Sequence, residues 1–168
     1  MTTFTTTTDS PVGPLVLTSD GTALTGVLFD AELDPTWSTE PCAVLDRAVA
    51  QLGEYFAGER TEFDLPLEPA GTPFQRSTWL ALREIPYAET INYGQLATRV
   101  GNPNASRAVG LANGRNPISI VVPCHRVIGA NGSLTGYGGG LDRKRTLLEL
   151  ERRTAGVPGA EDSQLTLL

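Results

Sequence analysis

The texture of this chain turns mostly helical after EPAGTP (residues 68–73), and that change limits what it can fold into. Upstream, β-branched and apolar residues come mainly in short runs separated by turn residues, with one helical stretch among them. Downstream, apolar residues recur at three- and four-residue steps. The pattern predicts an α+β protein: a small N-terminal α/β lobe (antiparallel sheet plus helix) over residues 1–67, a linker at 68–73, a mostly helical C-terminal lobe with a helix-turn-helix over 74–154, and a tail at 155–168.

In the first lobe TFTTTT reads as a strand, DSPVG as a turn and PLVLT as a second strand. Asp20-Gly21 is a hairpin signal, with ALTGVLF as the third strand. Pro41 to Phe56 has helical spacing through Val44, Ala48, Leu52 and Phe56, closed by Gly58, with Cys42 a packing residue at its start. FDLPLE reads as an edge strand, because Pro66 has no N–H for a ladder.

In the second lobe a helix is expected from Phe74 to Ile85, with Phe74, Thr78, Trp79 and Leu82 on its apolar face and Pro86 ending it. Asn92 is a candidate N-cap for YGQLATRV, with Gly101 as the stop, and a second short helix spans Asn104 to Asn113. Two short helices about a Gly-containing turn make a helix-turn-helix pattern, which alone does not establish DNA binding. Ala105, Ala108, Gly110 and Ala112 make the second helix slim, with Arg107 projecting. ISIVV reads as a short buried strand, Asn131-Gly132 as a tight hairpin and Leu141 to Leu150 as the last helix, with Arg143-Lys144-Arg145 a solvated face. Gly138-Gly139-Gly140 suits close backbone approach, but it lacks P-loop spacing.

The net charge of −6 averages over two unlike segments. Residues 1–72 carry two arginines against twelve acidic residues, a net of −10, whereas residues 73–151 carry nine basic residues against five acidic, a net of +4. A polyanionic partner is therefore a question for the second half alone. No apolar run is long enough to span a bilayer and the N-terminus has no signal-peptide pattern, so no membrane partner is expected and the location reads as cytoplasmic. Cys42 and Cys124 lie far apart, and with one histidine they fall short of a zinc ligand set, so neither metal nor disulfide is expected.

Cys124 stands beside His125, the only histidine in 168 residues, inside the apolar run VVPCHRVI. A thiol attacks as thiolate, so a nucleophilic Cys124 needs a base or a nearby positive charge. On a strand the two side chains would point to opposite faces; they can cooperate only where the chain turns, as Pro123 allows, or through a water. Glu149 and Glu151 are both candidates to orient the imidazole. The alternative is a packed strand end that happens to carry a thiol.

PCHRV, preceded by GRNP and followed by GSLTGYGGG and a helix ending in LELE, resembles the DNA repair methyltransferases that act on O6-alkylguanine. YGQLA and NPNASRAVG fall in family order, and the similarity runs from about Thr72 to Arg152, more loosely through DSPVGPL and FDLPL. The resemblance implies a ribonuclease-H-like lobe over 1–67 and a DNA-binding, alkyl-accepting domain over 74–154. It implies that Cys124 accepts the alkyl group, His125 takes its proton through a water and Glu151 rather than Glu149 orients the histidine. Asn116 would tie the helical pair to the active-site turn, and Tyr93 would donate to the departing guanine. Arg107 would fill the gap left by a flipped nucleotide, with Asn104, Ala105 and Ala108 beside it on the DNA. Val127, Tyr137 and Gly138 would wall the base pocket; position 138 is often serine in relatives.

The implied activity is irreversible, single-turnover transfer of the alkyl group from O6-alkylguanine, and from O4-alkylthymine, to Cys124, without cofactor or metal. The implied partner is double-stranded DNA bound through its minor groove by a monomer, cooperative assembly on DNA being left open. Three rivals remain: a non-enzymatic alkylated-DNA-binding module, a thiol redox enzyme, for which Cys42 is too far off to resolve Cys124, and a cysteine hydrolase.

Overall fold

TFTTTT and PLVLT pair as expected in the computed structural model, which describes residues 1–157. The strands β1 (Phe4–Thr8), β2 (Leu15–Ser19) and β3 (Leu24–Phe29) form an antiparallel sheet in that order. The registers run from Phe4↔Ser19 to Thr8↔Leu15 and from Leu15↔Phe29 to Ser19↔Leu24, with a bulge at Thr18/Ser19. The β2–β3 turn is closed by Asp20, whose Oδ1 accepts from the N–H groups of Thr22 and Ala23, while Gly21 takes φ 101°. Helix α1 (Ala43–Phe56) starts at Cys42 and buries Val44, Leu45, Ala48, Gln51, Leu52 and Tyr55. Tyr55, not the expected Phe56, takes the deep position. Four-residue steps drift about 40° each at 3.6 residues per turn, so a third such step leaves the buried stripe and a three-residue step returns to it.

FDLPLE is not an edge strand. It makes one bridge, Leu24↔Leu67, with Leu24 N–H donating to Pro66 O (2.8 Å) and Glu68 N–H to Leu24 O (2.9 Å). Nearby, the Gln51 side-chain amide binds both the N–H and the C=O of Asp64 (2.9 and 3.0 Å), taking the place of a ladder. ISIVV is not a strand either. Val27 N–H donates to Pro117 O and Ser119 N–H to Val27 O, but Ile120 then takes φ 72° and Val121 N–H folds back onto Ser119 O (2.8 Å). This is a γ-turn of the strained hand, uncommon for a β-branched residue. Residues Pro117–Val121 belong to the first compact unit, with Met1–Ala70; the second comprises Gly71–Asn116 and the chain from Val122 onward.

In the second unit α2 (Pro73–Leu82) begins with a Thr72/Gln75 capping box and Pro73 at its first turn. It ends three residues before the expected Ile85, and Phe74 is exposed while Thr78, Trp79 and Leu82 are buried. Asn92 caps α3 (Tyr93–Arg99) reciprocally with Gln95. Helix α4 (Ser106–Gly114) lies against both α2 and α3, and Trp79 Nε1 donates to Ala112 O (2.8 Å). Ala105 offers no side-chain cap, so α4 starts two residues later than expected. The Asn131-Gly132 turn forms, with Gly132 N–H donating to Gly129 O, but it joins no hairpin. The preceding strand β5 (Val127–Ile128) pairs in parallel with β4 (Ile91–Asn92) instead. Helix α5 runs Leu141–Ala155, past the expected Leu150, and Gly156 closes it at φ 68°. The expected tail lies outside the described residues beyond 157.

Candidate active site

The nucleophile candidate sits on a turn and not on a strand. Cys124 N–H donates to Val122 O (2.8 Å) around Pro123 (φ −81°, ψ 63°), and Cys124–Arg126 then form a single 3-10 turn. On such a turn adjacent side chains stand about 120° apart instead of on opposite faces as on a strand. Cys124 and His125 are buried, at 4% and 0% exposure. Asn116 Nδ2 donates to Val122 O (2.9 Å), and the Asn116 and Tyr137 side chains lie by the Cys124 thiol, where both favour its thiolate form. Asn113, on α4, reaches the Cys124 carbonyl through Nδ2 (3.3 Å).

His125 Nε2 lies 2.7 Å from Glu151 Oε2, and both side chains are fully buried. Glu149 lies one to two residues off the buried stripe of α5, which carries Lys144, Leu147, Leu148 and Glu151. Burial opposes ionisation of Glu151, but His125 and Arg126 together outweigh it and hold the carboxyl well below the usual carboxylate range. Burial in turn lowers the basicity of His125, against the pull of Glu151. An ionised Glu151 can only accept, so Nε2 donates to it, and Nδ1 is buried with no hydrogen-bond partner in the protein. Burial also pushes the Cys124 thiol up, with Asn116 and Lys144 opposing, so the resting sulfur carries its proton and needs a base.

Lys144 corrects the expectation of a solvated Arg143-Lys144-Arg145 face. It is fully buried, and its ammonium donates to Val127 O (2.5 Å) and Thr135 O (2.8 Å). Burial brings it down to about 8, with the nearby Cys124 acting the other way. Tyr93 Oη donates to the same Thr135 carbonyl (3.1 Å), so β5, the 129–140 loop and α3 meet at this point. A Cβ on Gly138 would stand 3.2 Å from Gly114 O, so a serine at position 138 would force a shift of backbone here. On α4 Arg107 and Ala108 are exposed, as is Asn104 just before it, whereas Ala105 is buried and does not share their outward face.

Arg126, Lys144 and Asn113 are the site residues that sequence reasoning missed. Lys144 carried a signal, since it shares the helical stripe of Leu147, Leu148 and Glu151. Arg126 carried a weaker one, an arginine inside an apolar run. Among the described residues no group of three or more His, Cys, Asp or Glu side chains converges as a metal site would require.

A buried thiol next in sequence to an imidazole that is paired with a buried carboxylate, set beside a helix-turn-helix, points to a class: DNA-binding proteins that carry a reactive cysteine. Comparison with known proteins narrows the class. Residues 73–153 match the family described as 6-O-methylguanine DNA methyltransferase, DNA binding domain, and residues 3–69 match its ribonuclease-like domain. A methylated-DNA–protein-cysteine methyltransferase of Mycolicibacterium paratuberculosis is 58% identical over 151 residues, covering 88% of this chain and 91% of the relative. One from Methanosarcina acetivorans is 55% identical, covering 85% and 94%. The crystal structure of Mycobacterium tuberculosis OGT in complex with DNA superposes with a TM-score of 0.83 at 53% identity, covering 92% of this chain and 94% of that one. The chain belongs to the 6-O-methylguanine DNA methyltransferase family.

Proposed function

We propose that this protein reverses alkylation damage in DNA directly, moving the alkyl group of O6-alkylguanine, and of O4-alkylthymine, onto Cys124 in one irreversible event. The observation that carries this reading is His125, bonded through Nε2 to Glu151, next to a buried Cys124 on one 3-10 turn. The thiol proton passes through a water to His125 Nδ1. The thiolate then attacks the alkyl carbon in line, the S–C bond forms and the C–O bond breaks. The electron pair leaves with guanine, which takes a proton from the Tyr93 hydroxyl. Tyr93 must exchange its Thr135 acceptor for the base to do this. The thioether has no route back to thiol, so each molecule acts once.

A base stacked in duplex cannot reach a buried sulfur, so it must be rotated out, and a damaged base costs less to unstack. The outward face of α4, with Asn104, Arg107 and Ala108, enters the minor groove, where Arg107 takes the place of the flipped nucleotide. Val127, Tyr137 and the Gly138 backbone wall the pocket. The protein works as a cytoplasmic monomer without cofactor. No described helix is long and apolar enough to cross a membrane.

The test is intact mass after incubation with duplex DNA carrying one O6-methylguanine, followed by peptide mapping. One methyl gained on the Cys124 peptide, with no further turnover, is expected. No gain with a reduced thiol would sink the proposal in favour of a damage-binding module. A Cys124→Ala variant should still bind alkylated DNA but transfer nothing.

A further inference from the structure

Arg126 is spent inside the protein rather than on DNA. It is 6% exposed, and its Nε and Nη2 donate to the two oxygens of Glu151 (2.8 and 3.0 Å). Its Nη1 donates to Ile85 O (2.8 Å), and the guanidinium stands 5.5 Å from the centre of the Tyr87 ring. The carboxylate of Glu151 is thereby held by His125 Nε2, by both arms of the arginine fork and by the Ala88 N–H (3.2 Å).

The charges facing His125 explain why a fork is needed there. Glu151 from α5 pulls the imidazole toward its protonated form, while Arg126 from the same 3-10 turn and Lys144 from α5 push it away. Cys124 is the remaining titratable neighbour on that turn. A glutamate buried against His125 without Arg126 has two ways to relieve its charge. It can take the histidine as imidazolium, which is no longer a base. It can instead become protonated and donate to Nε2, which moves the ring proton to Nδ1 and removes the lone pair that faces the thiol proton.

We propose that Arg126 is a positioning residue that, by clamping Glu151 as a carboxylate through a bidentate fork and countering its charge, keeps His125 neutral with its proton on Nε2. This rests on the reading that His125 is the base for Cys124. Lysine is not an equivalent, because a point charge cannot span both carboxylate oxygens and the Ile85 carbonyl together.

His125 is the only histidine in the chain, so histidine-selective 15N labelling of the full protein yields one pair of ring signals. In the wild type at pH 7 these should report a neutral Nε2–H ring. Arg126→Met should convert the ring to imidazolium or to the Nδ1–H tautomer, with methyl transfer from duplex O6-methylguanine slowed about 100-fold, the scale of a lost general base. A folded Arg126→Met protein whose ring signals match the wild type overturns the proposal.

Should that variant fail to fold, the comparison of Glu151→Gln with Glu151→Gln/Arg126→Met decides. The glutamine amide still accepts from Nε2–H and carries no charge for Arg126 to counter, so removing the arginine there should change transfer less than about threefold, and a further loss of about 100-fold would refute the role. If the wild type transfers nothing at all, the methyltransferase reading fails separately. The ring signals still decide the role of Arg126.

Discussion

Glu151 and His125 tie the chemistry of the site to the stability of the fold, because both are fully buried and both have perturbed ionisation. For Glu151 the folded state holds the carboxyl well below its ordinary 4.5, with burial opposing and His125 and Arg126 together prevailing. The unfolded chain therefore binds the extra proton first, and stability falls as the pH drops below about 4.5. For His125 burial depresses the imidazole from 6.5, so the unfolded state again takes the proton first. The two windows adjoin: acid destabilisation should begin near 6.5 with His125 and continue below 4.5 with Glu151. Urea midpoints measured from pH 8 to pH 4 check this, and a flat profile through that range would refute it. At this scale the identities of Cys124, His125 and Glu151 as candidates were legible, because thiol, imidazole and carboxylate are the side chains such chemistry needs. The burial of Arg126 and Lys144 was less so, since charged residues are seldom fully buried and nothing local announces the carbonyls that meet them.

The elements that carry the site are held by local signals that mostly agree with the fold. The Asn92/Gln95 box starts α3 directly before Tyr93, and the Thr72/Gln75 box with Pro73 starts α2. One element departs from its own local preference. Glu89 N–H donates to Pro86 O (3.1 Å), closing a turn whose third residue, Ala88, sits at φ 64°. That position suits glycine, and alanine is strained there. Ala88→Gly should therefore stabilise the protein by about 1 kcal/mol, measurable as a raised urea midpoint at unchanged slope. It should leave the Ala88 N–H bond to Glu151 in place, because the backbone conformation stays the same. ISIVV illustrates the opposite failure. Five residues of high β-propensity are not a strand, because backbone bonds to Val27 and the reversal at Ile120 outweigh that propensity.

Across the whole molecule the charge is partitioned rather than balanced, with a net of −10 in residues 1–72 and +4 in residues 73–151. Arg126 and Lys144 are buried, Arg126 against Glu151, and cannot reach a phosphate, whereas Arg76, Arg83, Arg99, Arg107 and Arg115 are exposed. On the proposed reading, those exposed arginines make duplex binding electrostatic. Affinity for undamaged duplex, read by fluorescence anisotropy, should fall about tenfold or more between 50 and 200 mM salt, as the release of counterions from two or more phosphates requires. Affinity that ignores salt over that range would remove the basic helices from the interface. The same partition would favour cooperative assembly, the acidic residues of one copy meeting the basic residues of the next along a duplex, and non-cooperative, salt-insensitive isotherms would exclude it.

By itself the sequence determined the class of fold, the sheet, the helix start at Asn92 and the chemistry available at Cys124 and His125. These follow from short-range effects: backbone preferences, capping and side-chain reactivity act within a few residues of their cause. Only the tertiary structure decided that Cys124 and His125 share a 3-10 turn and that Arg126 and Lys144 are buried beside Glu151 and Cys124. Each of those outcomes depends on which carbonyls and carboxylates distant segments bring together. In a dry interior an ionised side chain is tolerated only where such partners are already in place.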